Sequence, residues 1–316
     1  MKISIAIPVY NSENSIARVV EELIETLTSH YDLEIILVND CSSDNSEKVC
    51  IDIFNKYPHV VNFYSLSKNV GEHNAVMAAL NHVTGEYVVI MDDDFQNPIN
   101  EVLRLIQHIA EHDYDVIYTW YDKKQHSFLR NIGSKINDKV ANIMLKKPKD
   151  LYLSSFKAIN RFITDEIIKY DLPFPYIDGL ILRTTSNIGT LKVLHQKRET
   201  GKSGYTLQKL IRLWMNMFIN FSILPLRLSV FVGFIFAAFG FGLGIYAVVD
   251  KILHPALPMG YTTLAILISV FGGIQLIAIG LVGEYLGRAF LSQNKRPQYS
   301  IRKSFIAKQV STQMCY

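Results

Sequence analysis

Cysteine, charge and nucleotide-loop glycines are what this chain has little of. Its 316 residues include three cysteines, Cys41, Cys50 and Cys315, with no CxxC pair and no paired spacing. A disulfide scaffold and a zinc knuckle are thereby excluded. Charged residues reach only 19%, against about 25% in an average soluble domain, and the formal net charge is +3. So small a bias does not point to nucleic acid. No G-x-G-x-x-G follows the first apolar run and no G-x-x-x-x-G-K-[ST] occurs, which disfavours a dinucleotide oxidoreductase and a P-loop NTPase. The N-terminus enters an apolar run after a single Lys, without a small-residue cleavage site, and does not read as a signal peptide.

Apolar residues make up 49% of the chain, and part of that excess lies in two uncharged runs, 22 residues from Leu228 to Val249 and 23 from Tyr261 to Gly283. Each exceeds the roughly 20 residues a helix needs to cross a hydrocarbon core of about 30 Å. Two transmembrane helices are expected. Gly240-x-x-x-Gly244 and Gly283-x-x-x-Gly287 offer small faces on which helices can approach. Lys209, Arg212 and Arg227 precede the first run, and Arg288, Lys295, Arg296, Arg302 and Lys303 follow the second. The connecting loop carries only Lys251, so both termini are expected in the cytoplasm. Ahead of the first run, Gln208, Arg212, Asn216 and Asn220 recur every fourth residue among apolar neighbours. Such a stripe suits a helix lying in the membrane interface or one packed on the preceding domain. The expected organisation is a catalytic domain over 1–205, an interfacial helix over 206–226, a two-helix membrane region over 227–287 and a tail over 288–316.

The first part of the chain alternates strand-like and helical runs. β-rich stretches at Ile3–Val9, Glu34–Asn39, Val61–Leu66, Tyr87–Met91 and Val116–Trp120 are separated by amphipathic stretches. That alternation predicts an α/β fold with a parallel sheet covered on both faces, binding its ligand at the carboxyl ends of the strands. Polar residues collect there: Pro8 to Glu13 after the first run, Asn39 to Asp44 after the second, Lys68 to His73 after the third, and Asp92-Asp93-Asp94-Phe95-Gln96-Asn97-Pro98 after the fourth. Three adjacent carboxylates repel one another. A hard divalent cation removes that repulsion and commonly bridges protein to substrate phosphates. In an extended segment Asp92 and Asp94 point one way and Asp93 the other. Asp92, Asp94 and the auxiliary Gln96 are therefore the expected metal-facing set; a solvated Asp turn is the alternative.

With these motifs together, PVYNSE, VNDCSSDNS, KNVGEHNAVMAAL, DDDFQNP, HQKRETGKSGYTLQKL, PLR, GEYLGR and KRPQY, the chain resembles the family 2 glycosyltransferases of GT-A (Rossmann-like) fold. It is similar in particular to the polyprenyl-phosphate glycosyltransferases: dolichol-phosphate mannose synthases, bactoprenol glucosyltransferases and the undecaprenyl-phosphate formamido-arabinose transferases. His73 in GEHNAVMA resembles the last of these. The resemblance implies inverting transfer of one sugar from a nucleotide sugar, UDP-linked by expectation, to undecaprenyl phosphate at the cytoplasmic membrane face, with Mg²⁺ or Mn²⁺ and a homo-oligomer, a tetramer in the family. It implies that Pro8, Tyr10, Asn11, Glu13, Asp40, Asn69, Asp92 and Asp93 line the nucleotide-sugar pocket. Asp92, Asp94 and Gln96 match the metal and diphosphate motif, with Asp94 catalytic. Arg198 and Ser203 lie in the phosphate-contacting motif, where Arg130 and Lys135 are expected to join Arg198 on the lipid phosphate; a solvated basic face is the other reading of Arg130 and Lys135.

One departure stands out. Related enzymes carry an acidic residue in the segment that reads Leu153-Ser154-Ser155-Phe156-Lys157 here, and position 155 holds no carboxylate. Asp178 of Ile177-Asp178-Gly179 is the remaining candidate base. The acceptor does not require one, since a phosphate monoester with its second pKa near ~6 is already mostly ionised. Two other readings compete: a processive polysaccharide synthase of the same fold, for which the spans are too few, and a non-catalytic nucleotide-sensing module, which predicts a degraded acidic motif.

Overall fold

The computed structural model describes residues 1–121, 148, 151–194, 224–253, 261–294 and 297–306. Where β-branched and apolar residues cluster, the chain forms β1 (Lys2–Val9), β2 (Asp32–Asn39), β3 (Val61–Leu66), β4 (Tyr87–Ile90) and β5 (Val116–Trp120). Between them run α1 (Ile16–Leu27), α2 (Ser46–Lys56), α3 (Glu72–Leu80) and α4 (Ile99–Glu111). There follow β6 (Lys157–Asn160), α5 (Arg161–Ile167), α6 (Ile177–Thr184), β7 (Ile188–Lys192), the long helices α7 (Leu224–Leu253) and α8 (Tyr261–Gln293), and β8 (Ile301–Phe305).

Eight strands form one sheet in the order β7-β5-β6-β4-β1-β2-β3-β8. The centre, β4-β1-β2-β3, is parallel as the βαβ alternation predicts. The flanks correct the all-parallel expectation. β6 runs antiparallel to both β4 and β5, and β8 runs antiparallel to β3. Their sequences, Lys-Ala-Ile-Asn and Ile-Arg-Lys-Ser-Phe, are too short and too polar to signal strands on their own.

Because β1–α1–β2 and β2–α2–β3 step in one direction along the sheet, right-handed crossovers place α1 and α2 on one face. The connection through α3 steps back past β1 to reach β4, and α3 lies across β1 and β2. The order reverses between β1 and β4, which is where open α/β sheets bind ligands. The α1 face is fixed by Ile16, Val19, Val20, Leu23 and Leu27, spaced three or four apart and all buried.

The chain divides into two units: Met1–Gly204 with Lys295–Tyr316, and Tyr205–Asn294. The C-terminal segment, expected to be a separate tail, thus belongs to the first unit and completes its sheet through β8. The second unit holds α7 and α8, of 30 and 33 residues. Both are long and apolar enough to cross a membrane. Phe236 of α7 meets Phe271 of α8 edge-on, with centroids 6.2 Å apart. A Cβ at Gly240 would lie 3.0 Å from the Phe271 ring, whereas at Gly244, Gly283 and Gly287 it would meet nothing within 4 Å. Of the four glycines in the two small-residue faces, only Gly240 lies against the partner helix, as a notch beside Phe271.

Candidate active site

Three strand ends at the reversal point turn through left-handed backbone. Asn11, Cys41 and Phe95, just beyond β1, β2 and β4, have φ of 55°, 54° and 58°. Non-glycine residues hold that conformation only where their surroundings fix it, and such residues gather at functional sites.

The seam between β1 and β4 is made by Asp93. Its Oδ2 accepts the Tyr10 N–H at 3.1 Å and the Ser12 hydroxyl. Asp93 is buried, while Asp92, Asp94 and Gln96 are half-buried; β4 ends at Ile90 and the chain bends through Asp93, Asp94 and Phe95, which corrects the extended geometry expected of this run. Burial pushes the Asp93 carboxyl up to about 6, against the pull of its two hydrogen bonds. Asp94 accepts the Gln96 N–H at 3.2 Å, holding the turn in place. Ser155, where a carboxylate is absent, donates to Asp92 at 2.6 Å. Burial raises the Asp92 carboxyl too, with the Glu72 and Asp94 charges adding to it.

A second layer lies behind this row. Lys157, buried in β6, is paired with Asp178 in the first turn of α6. The Tyr118 hydroxyl donates to the same Asp178 oxygen at 3.0 Å, and Lys157 Nζ sits 5.1 Å from the centre of the Tyr118 ring. Asp178, the candidate base, is thus already engaged by an ammonium and a phenol. Glu72, at the start of α3, has its carboxyl raised by desolvation, countered by Lys157 and reinforced by Asp178, Asp93 and Asp94. His73 packs edge-on against Tyr176 at 4.9 Å, and desolvation lowers its pKa to about 4, so the ring is neutral at physiological pH.

The nucleotide-loop residues are laced together. Asp40 accepts the Val70 N–H at 2.7 Å and the Gly71 N–H at 2.9 Å, and Asn69 donates to the Asp40 carbonyl at 3.3 Å. Glu13 accepts the Asn45 N–H at 2.8 Å, and Asn11 Oδ1 accepts the Ser43 N–H at 2.9 Å. Pro8 lies in β1 opposite Val38, and Tyr10 is 51% exposed. The structure therefore brings Pro8, Tyr10, Asn11, Glu13, Asp40, Asn69, Asp92, Asp93, Asp94 and Gln96 to one end of the sheet. Arg130, Lys135, Arg198 and Ser203, with the expected interfacial helix, lie outside the described residues. Sequence reasoning missed Ser12, Glu72, Tyr118, Lys157 and Tyr176. Ser12 and Glu72 lay within the polar strand-end runs, whereas nothing in the sequence singled out Tyr118, Lys157 or Tyr176.

Among the described residues, no three His, Cys, Asp or Glu side chains converge as a closed metal cage. Asp92 and Asp94 supply two carboxylates close enough for the charge of one to raise the other. That donor set fits a hard cation whose remaining ligands come from phosphates and water.

The Glycosyl transferase family 2 model matches residues 4–168, more than half of the chain. The chain belongs to that family. A second model, the GtrB C-terminal hairpin, matches residues 224–289 and so covers α7 and most of α8. The chain is 33% identical over 305 residues to the undecaprenyl-phosphate 4-deoxy-4-formamido-L-arabinose transferase of Proteus mirabilis, covering 96% of this chain and 93% of the relative. The same-named protein of Yersinia enterocolitica is 34% identical over 316 residues, covering 98% and 95%. Among solved structures, glucosyl-3-phosphoglycerate synthase of Mycobacterium tuberculosis, with Mn²⁺, UDP and glucosyl-3-phosphoglycerate bound, superposes with a TM-score of 0.51. At 17% identity, over 68% of this chain and 76% of that one, it speaks for the GT-A fold alone. This family 2 glycosyltransferase thus joins a GT-A domain to a C-terminal pair of apolar helices.

Proposed function

We propose that this glycosyltransferase moves a single sugar from a UDP-sugar to a polyprenyl phosphate, undecaprenyl phosphate in particular, at the cytoplasmic face of the membrane. One observation carries the reading: Asp92 and Asp94, half-buried and near enough for the Asp94 charge to raise the Asp92 carboxyl, lie just beyond β4 at the sheet's reversal point, while Asp93 ties β4 to the β1 loop. The near-full-length similarity to transferases named for undecaprenyl phosphate supports the acceptor. Because the chain leaves the first unit after Gly204 and returns to it at Lys295, connectivity favours both ends of the hairpin on one membrane face.

In this reading Asp92 and Asp94, with Gln96, would hold a divalent cation, Mg²⁺ or Mn²⁺, which when bound would supply positive charge to the leaving nucleoside diphosphate. Pro8, Tyr10, Asn11, Glu13, Asp40 and Asn69 shape the nucleotide pocket. Ser155 and Lys157 steady Asp92 and Asp178 from behind. The lipid phosphate, held by Arg198 with Arg130, Lys135 and Ser203, attacks the anomeric carbon in line. The bond to the nucleoside diphosphate breaks with its electron pair on the leaving oxygen, and the anomeric configuration inverts. An ionised phosphate needs no proton removed, so Asp178, engaged by Lys157 and Tyr118, acts as a positioning carboxylate. A homotetramer is the assembly this reading adopts.

Purified protein incubated with undecaprenyl phosphate and a panel of nucleotide sugars provides the test, with mass spectrometry of the lipid fraction. The expected product is a lipid-linked monosaccharide with one phosphate and inverted configuration. Release of a nucleoside monophosphate with a lipid diphosphate product would overturn the proposal.

A further inference from the structure

The strand that follows the membrane helices reaches the donor loops through a chain of hydrogen bonds. Lys303 of β8 pairs with Ser65 of β3 in the antiparallel ladder, so their side chains share a face. Lys303 Nζ donates to Glu47 Oε1 at 2.5 Å, and Ser65 Oγ donates to Glu47 Oε2 at 2.9 Å. Ser65 Oγ in turn accepts from Asn39 Nδ2 at 3.2 Å. Asn39 Oδ1 accepts from the Ser42 hydroxyl at 2.6 Å and from the Ser42 N–H at 3.2 Å. Ser42 Oγ accepts the Asn11 N–H at 3.0 Å.

Every link runs the same way. Each hydroxyl and the Asn39 amide donates toward Glu47 and accepts from the side of the β1 loop. Hydrogen bonds polarised head to tail strengthen one another. The direction is set by the terminal carboxylate, since an ionised Glu47 only accepts and so forces the Ser65 hydroxyl to point at it. Reversing that hydroxyl would bring two donors together at Asn39 Nδ2, and turning the amide would leave Ser42 facing an NH₂. Asn39 and Ser65 are fully enclosed, at 0% and 1% exposure, so water cannot replace a lost partner. Glu47 is held ionised, its pKa lowered first by the Lys303 hydrogen bond.

We propose that Lys303, beyond the membrane helices in sequence, is a positioning residue for the loops at the carboxyl ends of β1 and β2, acting through Glu47, Ser65, Asn39 and Ser42 on Asn11. The proposal rests on reading those loops as the nucleotide-sugar site. Through it, the segment that closes the membrane hairpin also sets the order of the donor pocket.

The test compares full-length wild type with Lys303→Met, Lys303→Arg and Ser65→Ala, by amide hydrogen exchange over residues 10–15 and 40–46 and by UDP titration. An exposed ion pair adds little to global stability, so the melting temperature of Lys303→Met should stay close to wild type. Exchange in both loops should rise about five-fold, the size of one hydrogen bond's net contribution. UDP affinity and the donor KM should weaken by a similar factor, with kcat at saturating donor and the acceptor KM unchanged. Lys303→Arg should restore both readouts, and Ser65→Ala, which cuts the chain inside the fold, should exceed Lys303→Met. Unaltered loop exchange in Lys303→Met and Ser65→Ala would overturn the relay. Faster exchange in a protein that binds no UDP would support the relay and instead overturn the donor-site reading.

Discussion

Asp93 differs from the two carboxylates beside it in what it touches. Asp92 and Asp94 are half-buried, whereas Asp93 is buried against the Tyr10 N–H and the Ser12 hydroxyl. Replacing each by Asn should therefore fail by different routes. Asp94→Asn should abolish transfer with the melting temperature unchanged, because it removes charge facing the diphosphate; near wild-type turnover, with or without added Mg²⁺ or Mn²⁺, would refute the metal assignment. Asp93→Asn should lower stability by about 1–2 kcal/mol, as one weakened buried hydrogen-bond pair does. The pH dependence separates them further. A carboxyl held at about 6 in the folded chain and near 4 when unfolded binds its proton more tightly in the native state. Its contribution to stability therefore falls as pH rises from about 4 to about 6. In Asp93→Asn that component disappears, so the difference in melting temperature between variant and wild type should narrow across this window. A difference constant with pH would contradict the assigned shift. Of this row, the alternation of burial was legible in the sequence, and the bend through Asp93 to Phe95 was not. The partners of Asp93 and Asp178 were not, since Ser12 and Lys157 meet them only through sheet order.

Among the elements, strands with a helical crossover on each side announced themselves, and strands without one did not. β1 to β5 were expected within a residue or two of where they lie. β6, β7 and β8 were not, because each is short and mixes polar with apolar residues, so that its pairing is decided by the neighbours it finds. β8 is mostly exposed, and its hold on the sheet depends on its last residue. Phe305 stacks on Phe63 at 5.7 Å and tilts against Phe54 at 5.7 Å. Phe305→Ala should cost about 2 kcal/mol, less than the 3–5 of a fully buried phenylalanine. Denaturant unfolding measures the loss, and a cost under about 0.5 kcal/mol would show that β8 is held by its ladder alone. The membrane helices, by contrast, were evident from uncharged runs, though both extend several residues past them.

For the whole molecule, the sequence placed the membrane region but not the return of the chain to its first unit. Uncharged length is a local property, and a five-residue edge strand is recognised only once β3 is present to receive it. The proposed cytoplasmic placement of the GT-A unit can be tested at Cys41, which is exposed on the β2 loop while Cys50 is buried. In a Cys315→Ser chain, a membrane-impermeant maleimide should label Cys41 in inverted vesicles and leave it untouched in intact spheroplasts. Labelling from outside would reverse the proposed topology.

The late arrival of β8 also sets a timetable for biosynthesis. More than two hundred residues separate β3 from the strand that pairs with it. At about 5–20 residues per second, the ribosome leaves the β3 edge uncovered for tens of seconds while the hairpin is made and inserted. An open apolar edge of this kind recruits other chains. A chain ending at Gly204 would keep that edge permanently bare. It should self-associate on a sizing column, and adding back a peptide spanning residues 297–306 should suppress the association. Insertion of the hairpin would then be a step in folding the domain that precedes it, and a nascent chain stalled before the membrane would be a substrate for chaperones rather than an early form of the enzyme.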